Sequence, residues 1–186
     1  MKKLRITLQI SILCIVLAAA SQVFSATRMP SFALPDVVTG EIVKSSIFEG
    51  KTLLITFFAT WCPPCIEEIP TLKKLHQAYE NRGFSVIGFS VDQGGVKAIQ
   101  KLIKKWSIND PVILADSKTM QRFGGVYGIP ESFLINKKGH VVKRYSGYIP
   151  QSTLEKDLKK PAPTLRAGFV KLIKFNLNLS EESLAA

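Results

Sequence analysis

The stretch Lys51–Pro70, KTLLITFFATWCPPCIEEIP, restricts the possible folds of this chain more than any other. Lys51–Phe58 is a short apolar run with β-branched and aromatic residues, the pattern of a buried central strand. Cys62 and Cys65 follow at its end, separated only by Pro63 and Pro64. Proline has no backbone donor and the first helical turn needs none, so a helix can begin here. It continues through IEEIPTLKKLHQAYENRG to a stop at Gly83. Ile69, Leu72, Leu75 and Tyr79 keep helical spacing on its inner face, and Pro70 predicts a kink.

A cysteine pair at this spacing can be redox machinery, half of a metal site, or a staple. With 186 residues, 46% of them hydrophobic, the chain can bury one sizeable core, so a single domain is expected and it needs no stapling. Closing a four-residue loop also removes little chain entropy. A zinc site needs about four ligands, and His76 and His140 stand at no recognisable ligand spacing. Redox chemistry remains.

Further elements follow from the pattern. Phe84–Val91 reads as a strand, Gly95–Trp106 as a helix and Val112–Leu114 as a short strand. Ser132–Ile135 and His140–Tyr145 make a hairpin around NKKG, and Thr153–Lys159 a closing helix. Strands alternating with helices and ending in a hairpin predict an α/β domain with a central mixed sheet.

Residues 1–26 have a basic start, an apolar run and small residues that can form a cleavage site, so export is expected. No charge occurs in the 22 residues between Arg5 and Arg28, which is also long enough for a retained membrane anchor. In either case the remainder crosses the membrane, to the periplasm or the outer face of the cytoplasmic membrane. Cys14, within the apolar run, reads as a bystander. An exported chain meets oxidising conditions in which Cys62 and Cys65 can form a disulfide. The net charge is +11, or +8 without Lys2, Lys3 and Arg5. Lysines cluster at Lys97, Lys101, Lys104 and Lys105, and cations at Lys137, Lys138, Lys143 and Arg144, with no accompanying recognition motif. These read as solvated faces, and no nucleic-acid partner is expected.

A strand, WCPPC, a helix with an internal proline, and GIP before a later strand resemble, in that order, the thioredoxin fold. The segment PSFALPDVVTGEIVKSSIFEGKTLLITFFATWCPPC is similar to the opening of the exported TlpA/ResA/DsbE thioredoxin-like proteins, and GVYGIPESFLINKKG to the DsbE (CcmG) branch. The 39 residues from Val91 to Pro130 hold an extra helix and strand, an insertion of that subgroup between the cysteine helix and the strand after Pro130. The resemblance covers about residues 30–159 and implies a thiol-disulfide oxidoreductase without metal or cofactor. Its client would be a protein with a disulfide or cysteine pair, such as an apocytochrome c, and its electron donor a membrane thiol-disulfide reductase.

Cys62 stands at the helix start, where unpaired amides and the helix dipole favour a thiolate, so it is the expected attacking thiol. Cys65, one turn deeper, is the expected buried resolving thiol. Thioredoxin carries a buried aspartate where this chain has Thr56, which cannot take a proton. Glu68 lies one helical turn after Cys65 and matches an active-site glutamate of the TlpA/ResA/DsbE group; its neighbour Glu67 reads as an ordinary surface acid. The resemblance implies a cis bond at Ile129-Pro130, with the Ile129 backbone turned toward an extended client segment. It also places Trp61 over the disulfide and Glu131 near the client. A thioredoxin-fold metallochaperone or holdase is the alternative, and a peroxidase is disfavoured because FFATWC lacks the proline that reaction wants. Residues 161–186 begin as a stiff linker at Pro161 and Pro163. The apolar spacing after them is mixed: a basic amphipathic segment on an anionic membrane surface is one reading, and the expected one is a tail that packs on the domain or stays partly disordered and takes no part in catalysis.

Overall fold

The computed structural model describes residues 27–159; the N-terminal targeting segment and the C-terminal tail lie outside the described residues. A short hairpin comes first, β1 (Ala33–Pro35) and β2 (Ile42–Lys44), followed by β3 (Thr52–Phe58) and α1 (Pro63–Tyr79). Then come β4 (Phe84–Ser90), α2 (Val96–Trp106), β5 (Val112–Leu114) and α3 (Ser117–Arg122). β6 (Glu131–Ile135), β7 (Val141–Ser146) and α4 (Gln151–Lys159) complete the domain.

The main sheet has the order β5-β4-β3-β6-β7. β3, β4 and β5 are parallel, whereas β6 runs antiparallel to β3 and β7. β3 is buried from Leu53 onward because both sheet faces are covered. Alternation along the strand divides its side chains between two cores. Leu53, Ile55 and Phe57 join Phe89, Phe123 and Phe133 on one face. There the Phe57 ring meets Phe89 edge-on at 5.0 Å and Phe123 at 5.4 Å. Leu54 packs with Leu72, Leu75 and Leu154 on the helical face, and Phe58 with Cys65, Ile69 and Ile99.

α1 is continuous through Pro70, and Ile69, Leu72 and Leu75 form its buried face. Its C-terminal end tightens into a single 3-10 turn over Glu80–Arg82, which Gly83 terminates at φ 75°. The expected insertion is present as α2 and β5. Two features were not expected from the sequence. The hairpin of β1 and β2 is only three residues on each side and half exposed, too short for periodicity to register. Asp36 builds its turn by accepting from Val38 N at 2.8 Å and Thr39 N at 2.9 Å. α3 is a short helix whose start is marked by Asp116, capping Thr119 N at 2.7 Å. The basic cluster at 137–144 also needs correction, because only part of it is a solvated face. Lys143 pairs with Asp157, and Arg144 is fixed by a buried carboxylate described below.

Candidate active site

The C-terminal end of β3 delivers the cysteine motif. Cys62 is the N-cap of α1 with an extended backbone, Pro63 and Pro64 fill the first turn, and Ile66 N donates to Cys62 O at 3.2 Å. Cys62 and Cys65 are joined as a disulfide. Each residue is only 4% exposed, so burial does not distinguish the two in this oxidised state. The flanking Trp61 is the opposite, 68% exposed. It belongs to no core, and with Pro63, Ile66 and Trp106 it borders a shallow depression beside the motif.

Glu68 lies one turn beyond Cys65 and is 1% exposed, while Glu67 is on the surface. Its Oε1 accepts from Ile149 N at 2.8 Å, and no second donor among the described residues reaches it. Loss of hydration pushes its pKa up to about 7, and the Ile149 hydrogen bond offsets only part of that. An acid of ordinary strength thereby becomes a group that exchanges protons near neutrality. Thr56 lines the same pocket as Cys65 and Glu68, and its hydroxyl accepts from Ser132 Oγ at 2.9 Å.

The antiparallel pairing of β3 with β6 sets Phe57 opposite Glu131 and so brings the residues before Glu131 beside the motif. Ile129-Pro130 is cis, and Ile129 packs against the cluster that contains both cysteines. Pro130 O accepts from Gly147 N at 2.8 Å. The backbone groups of Gly128 and Ile129 make no hydrogen bond among the described residues. Glu131 is 4% exposed, and both its carboxylate oxygens are engaged. Oε1 accepts from Arg144 Nε at 2.5 Å and Ser146 Oγ at 3.0 Å, and Oε2 from Arg144 Nη2 at 2.8 Å. The same Nη2 donates to Gly125 O at 2.7 Å. Glu131 therefore anchors, through Arg144, the segment leading to Ile129.

Sequence reasoning missed Asp92. It is 6% exposed and accepts from Thr60 N at 3.1 and 3.0 Å, Thr60 Oγ1 at 2.5 Å and Ser90 Oγ at 2.6 Å. This fastens the turn before Trp61 to the end of β4. Its position just after a strand was the available signal, but an acid there reads equally as loop surface. Asp92→Ala strands these donors in a buried place and is expected to cost about 3 kcal/mol in urea unfolding. A loss below about 0.5 kcal/mol, the scale of ordinary surface changes, would show that the turn holds without it.

Among the described residues, no three His, Cys, Asp or Glu side chains gather as a metal site, and no helix is long and apolar enough to cross a membrane.

The chain resembles characterised families over this same region. Residues 25–159 match the Redoxin family. Thiol-disulfide oxidoreductase ResA of Bacillus thuringiensis subsp. konkukian is 31% identical over 134 residues, 72% of this chain and 76% of that protein. ResA of Bacillus subtilis is 28% identical over 80% of this chain and 83% of its own. A thiol:disulfide interchange protein of the thioredoxin family from Chlorobium tepidum TLS superposes with a TM-score of 0.67 at 32% identity, covering 72% of this chain and 94% of that one. With the strand, disulfide and proline arranged as above, the chain has a thioredoxin-like fold and belongs to the Redoxin family, as a thiol-disulfide oxidoreductase of the TlpA/ResA/DsbE type.

Proposed function

We propose that this enzyme is exported and reduces disulfides in protein clients outside the cytoplasm, with the haem-attachment cysteines of an apocytochrome c as the client class. The observation that carries the reductase reading is the buried Glu68 carboxylate one turn from Cys65, poised to titrate near neutrality. In the reduced enzyme the Cys62 thiolate attacks a client disulfide, forming a mixed disulfide and releasing one client sulfur. Glu68 takes the proton of Cys65, whose thiolate then attacks Cys62 and frees the second client sulfur. The client gains two electrons and two protons, and the enzyme is left with the Cys62–Cys65 disulfide. A membrane thiol-disulfide reductase restores the dithiol.

Exposed Trp61 and the free backbone of Gly128 and Ile129 supply the client-facing surface. An extended client segment pairs with that backbone as an added strand. Pro130 flanks the disulfide, and Glu131 positions this segment through Arg144. Residues 1–26 act as the export signal or anchor, residues 27–160 as the catalytic domain, and residues 161–186 lie outside the catalysis. The cytochrome role rests on the likeness of GVYGIPESFLINKKG to the DsbE branch. A protein assigned as thiol:disulfide interchange protein DsbE from Chlorobium tepidum is 28% identical with a TM-score of 0.66.

The test compares the reduced enzyme acting on insulin and on an oxidised peptide bearing a Cys-X-X-Cys-His haem site. Preference for the haem-site peptide by about tenfold or more in kcat/KM, a difference of about 1.4 kcal/mol, is the expected result. Equal rates would leave a general reductase, and failure to reduce either substrate would overturn the reductase reading.

A further inference from the structure

Glu68 is nearly inaccessible to solvent, so a proton it takes from Cys65 needs a way out. Beneath α1, a narrow pocket of about 40 Å³ connects the surroundings of Cys65 and Glu68 with Lys73 and Asp110. Thr56 and Phe58 contribute to its wall from β3. Such a volume has room for about two or three waters, against a wall that is polar at Thr56, Glu68, Lys73 and Asp110 and otherwise mostly apolar. Asp110, in the loop before β5, has a side chain only 5% exposed, and its Oδ1 lies against His76 Nδ1 without a hydrogen bond of good geometry. His76 lies almost directly in line with Cys65 on α1, about three turns beyond it, and its side chain is 18% exposed. Two carboxylates thus line one pocket, Glu68 with the resolving thiol and Asp110 against a histidine that reaches solvent.

We propose that Asp110, held by His76, is the outer station of a proton path that serves Glu68 and drains the active site through this pocket. The inference rests on Glu68 being the proton acceptor of Cys65. The transfer is balanced without any redox partner. Cys65 gives its proton to Glu68, Glu68 gives it to water in the pocket, that water gives it to Asp110, and the Asp110–His76 pair releases one proton at the solvent edge.

The charged groups around the outer station fit this role. Burial raises the Asp110 pKa to about 6, with His76 and Lys73 opposing and Glu80 reinforcing the rise. Lys73 donates to Trp106 O at 2.6 Å. Glu80 Oε2 lies 3.9 Å from His76 Nε2, at the solvent edge. The inner carboxylate, at about 7, and the outer one are therefore close enough in proton affinity to pass a proton in either direction. The path runs both ways, as an enzyme that is alternately oxidised and reduced requires.

The test is single-turnover release of client from the Cys62 mixed disulfide, followed from pH 5 to 9 in water and heavy water. The full chain is used, carrying Asp110→Asn or His76→Gln, with Glu68→Gln as the reference. Asp110→Asn keeps the shape and removes the titration. It is expected to lower the plateau rate about tenfold, less than the hundredfold or more that loss of the base itself costs. The midpoint of the pH profile should stay where Glu68 sets it, and the heavy-water slowing should grow because escape to solvent now limits the step. His76→Gln should move the plateau in the same direction by a smaller factor, which keeps the test alive if Asp110→Asn folds poorly. Wild-type plateaus in both variants, with Glu68→Gln slow, would overturn the outlet while leaving the base intact. A shifted midpoint with an unchanged plateau would also overturn it, showing that Asp110 merely shapes the surroundings of Glu68. An unchanged profile in Glu68→Gln would instead remove the base on which the inference rests.

Discussion

Cys65→Ser is expected to hold a client on Cys62 as a lasting mixed disulfide, one client per chain, whereas Cys62→Ser should capture none. Either change should reduce turnover by at least about a thousandfold, as loss of a nucleophile does elsewhere. The asymmetry rests on position rather than access. Both residues are equally buried in the oxidised enzyme, but only Cys62 occupies the N-cap of α1, beside exposed Trp61 and Pro63. Its thiolate gains from the positive end of the α1 dipole, although Pro63 and Pro64 contribute no amide to it. Cys65 lies within the helix and lines the internal pocket with Glu68. Mass spectrometry under non-reducing conditions reads the adduct directly, and an adduct on Cys65 in the Cys62→Ser enzyme would reverse the assignment.

Glu68→Gln should produce two effects of opposite sign. Turnover should fall by about a hundredfold at pH 7, because Cys65 loses its proton acceptor. The oxidised enzyme, however, should become more stable in neutral and alkaline solution. The folded protein raises the Glu68 pKa from 4.5 to about 7, so between those values the native state binds more protons than the unfolded chain. Stability contributed by this group is complete below about pH 4.5 and declines as pH rises through 7. At about 1.4 kcal/mol per pH unit, the penalty at pH 8 is on the order of 3 kcal/mol, and glutamine does not incur it. Urea unfolding of the two oxidised proteins at pH 4 and pH 8 measures the difference. Stability curves that run parallel across that range would show that Glu68 titrates normally and has no role as a base near neutrality.

The catalytic core was legible because its signals are local. The apolar run of β3, the cysteine pair, the prolines at the helix start and Glu68 one turn later all fall within seventeen residues, Thr52 to Glu68. Gly83 and Gly139 mark the turns that follow, both at φ above 70° where a side chain is disfavoured. What escaped depends on pairs far apart in sequence. Arg144 looked like one cation in a basic stretch until β7 placed it against Glu131. Asp92 fastens the cysteine turn only through Thr60, 32 residues earlier. His76 and Asp110 were unremarkable as single residues, since nothing local indicates that α1 and the loop before β5 face each other. The β1 and β2 hairpin and α3 were missed for a different reason: they are short and partly exposed, without the continuous apolar run that marks the equally short β5.

The pairing of β3 with β6 has a consequence for how such an enzyme can diversify. Phe57 lies opposite Glu131, so the distance from the cysteines to Ile129 is fixed by one antiparallel register and not by the length of chain between them. The intervening segment, including α2, β5 and α3, could change in length without altering that register, provided that Ile99 and Val112 still pack against the cysteine cluster. Asp110 lies inside that segment. If it is the outlet for protons, the thiol chemistry and the speed at which its proton leaves are encoded by separable stretches of chain, and a transplanted insertion would change the pace of the reaction while its pH midpoint, set by Glu68 in α1, stayed the same.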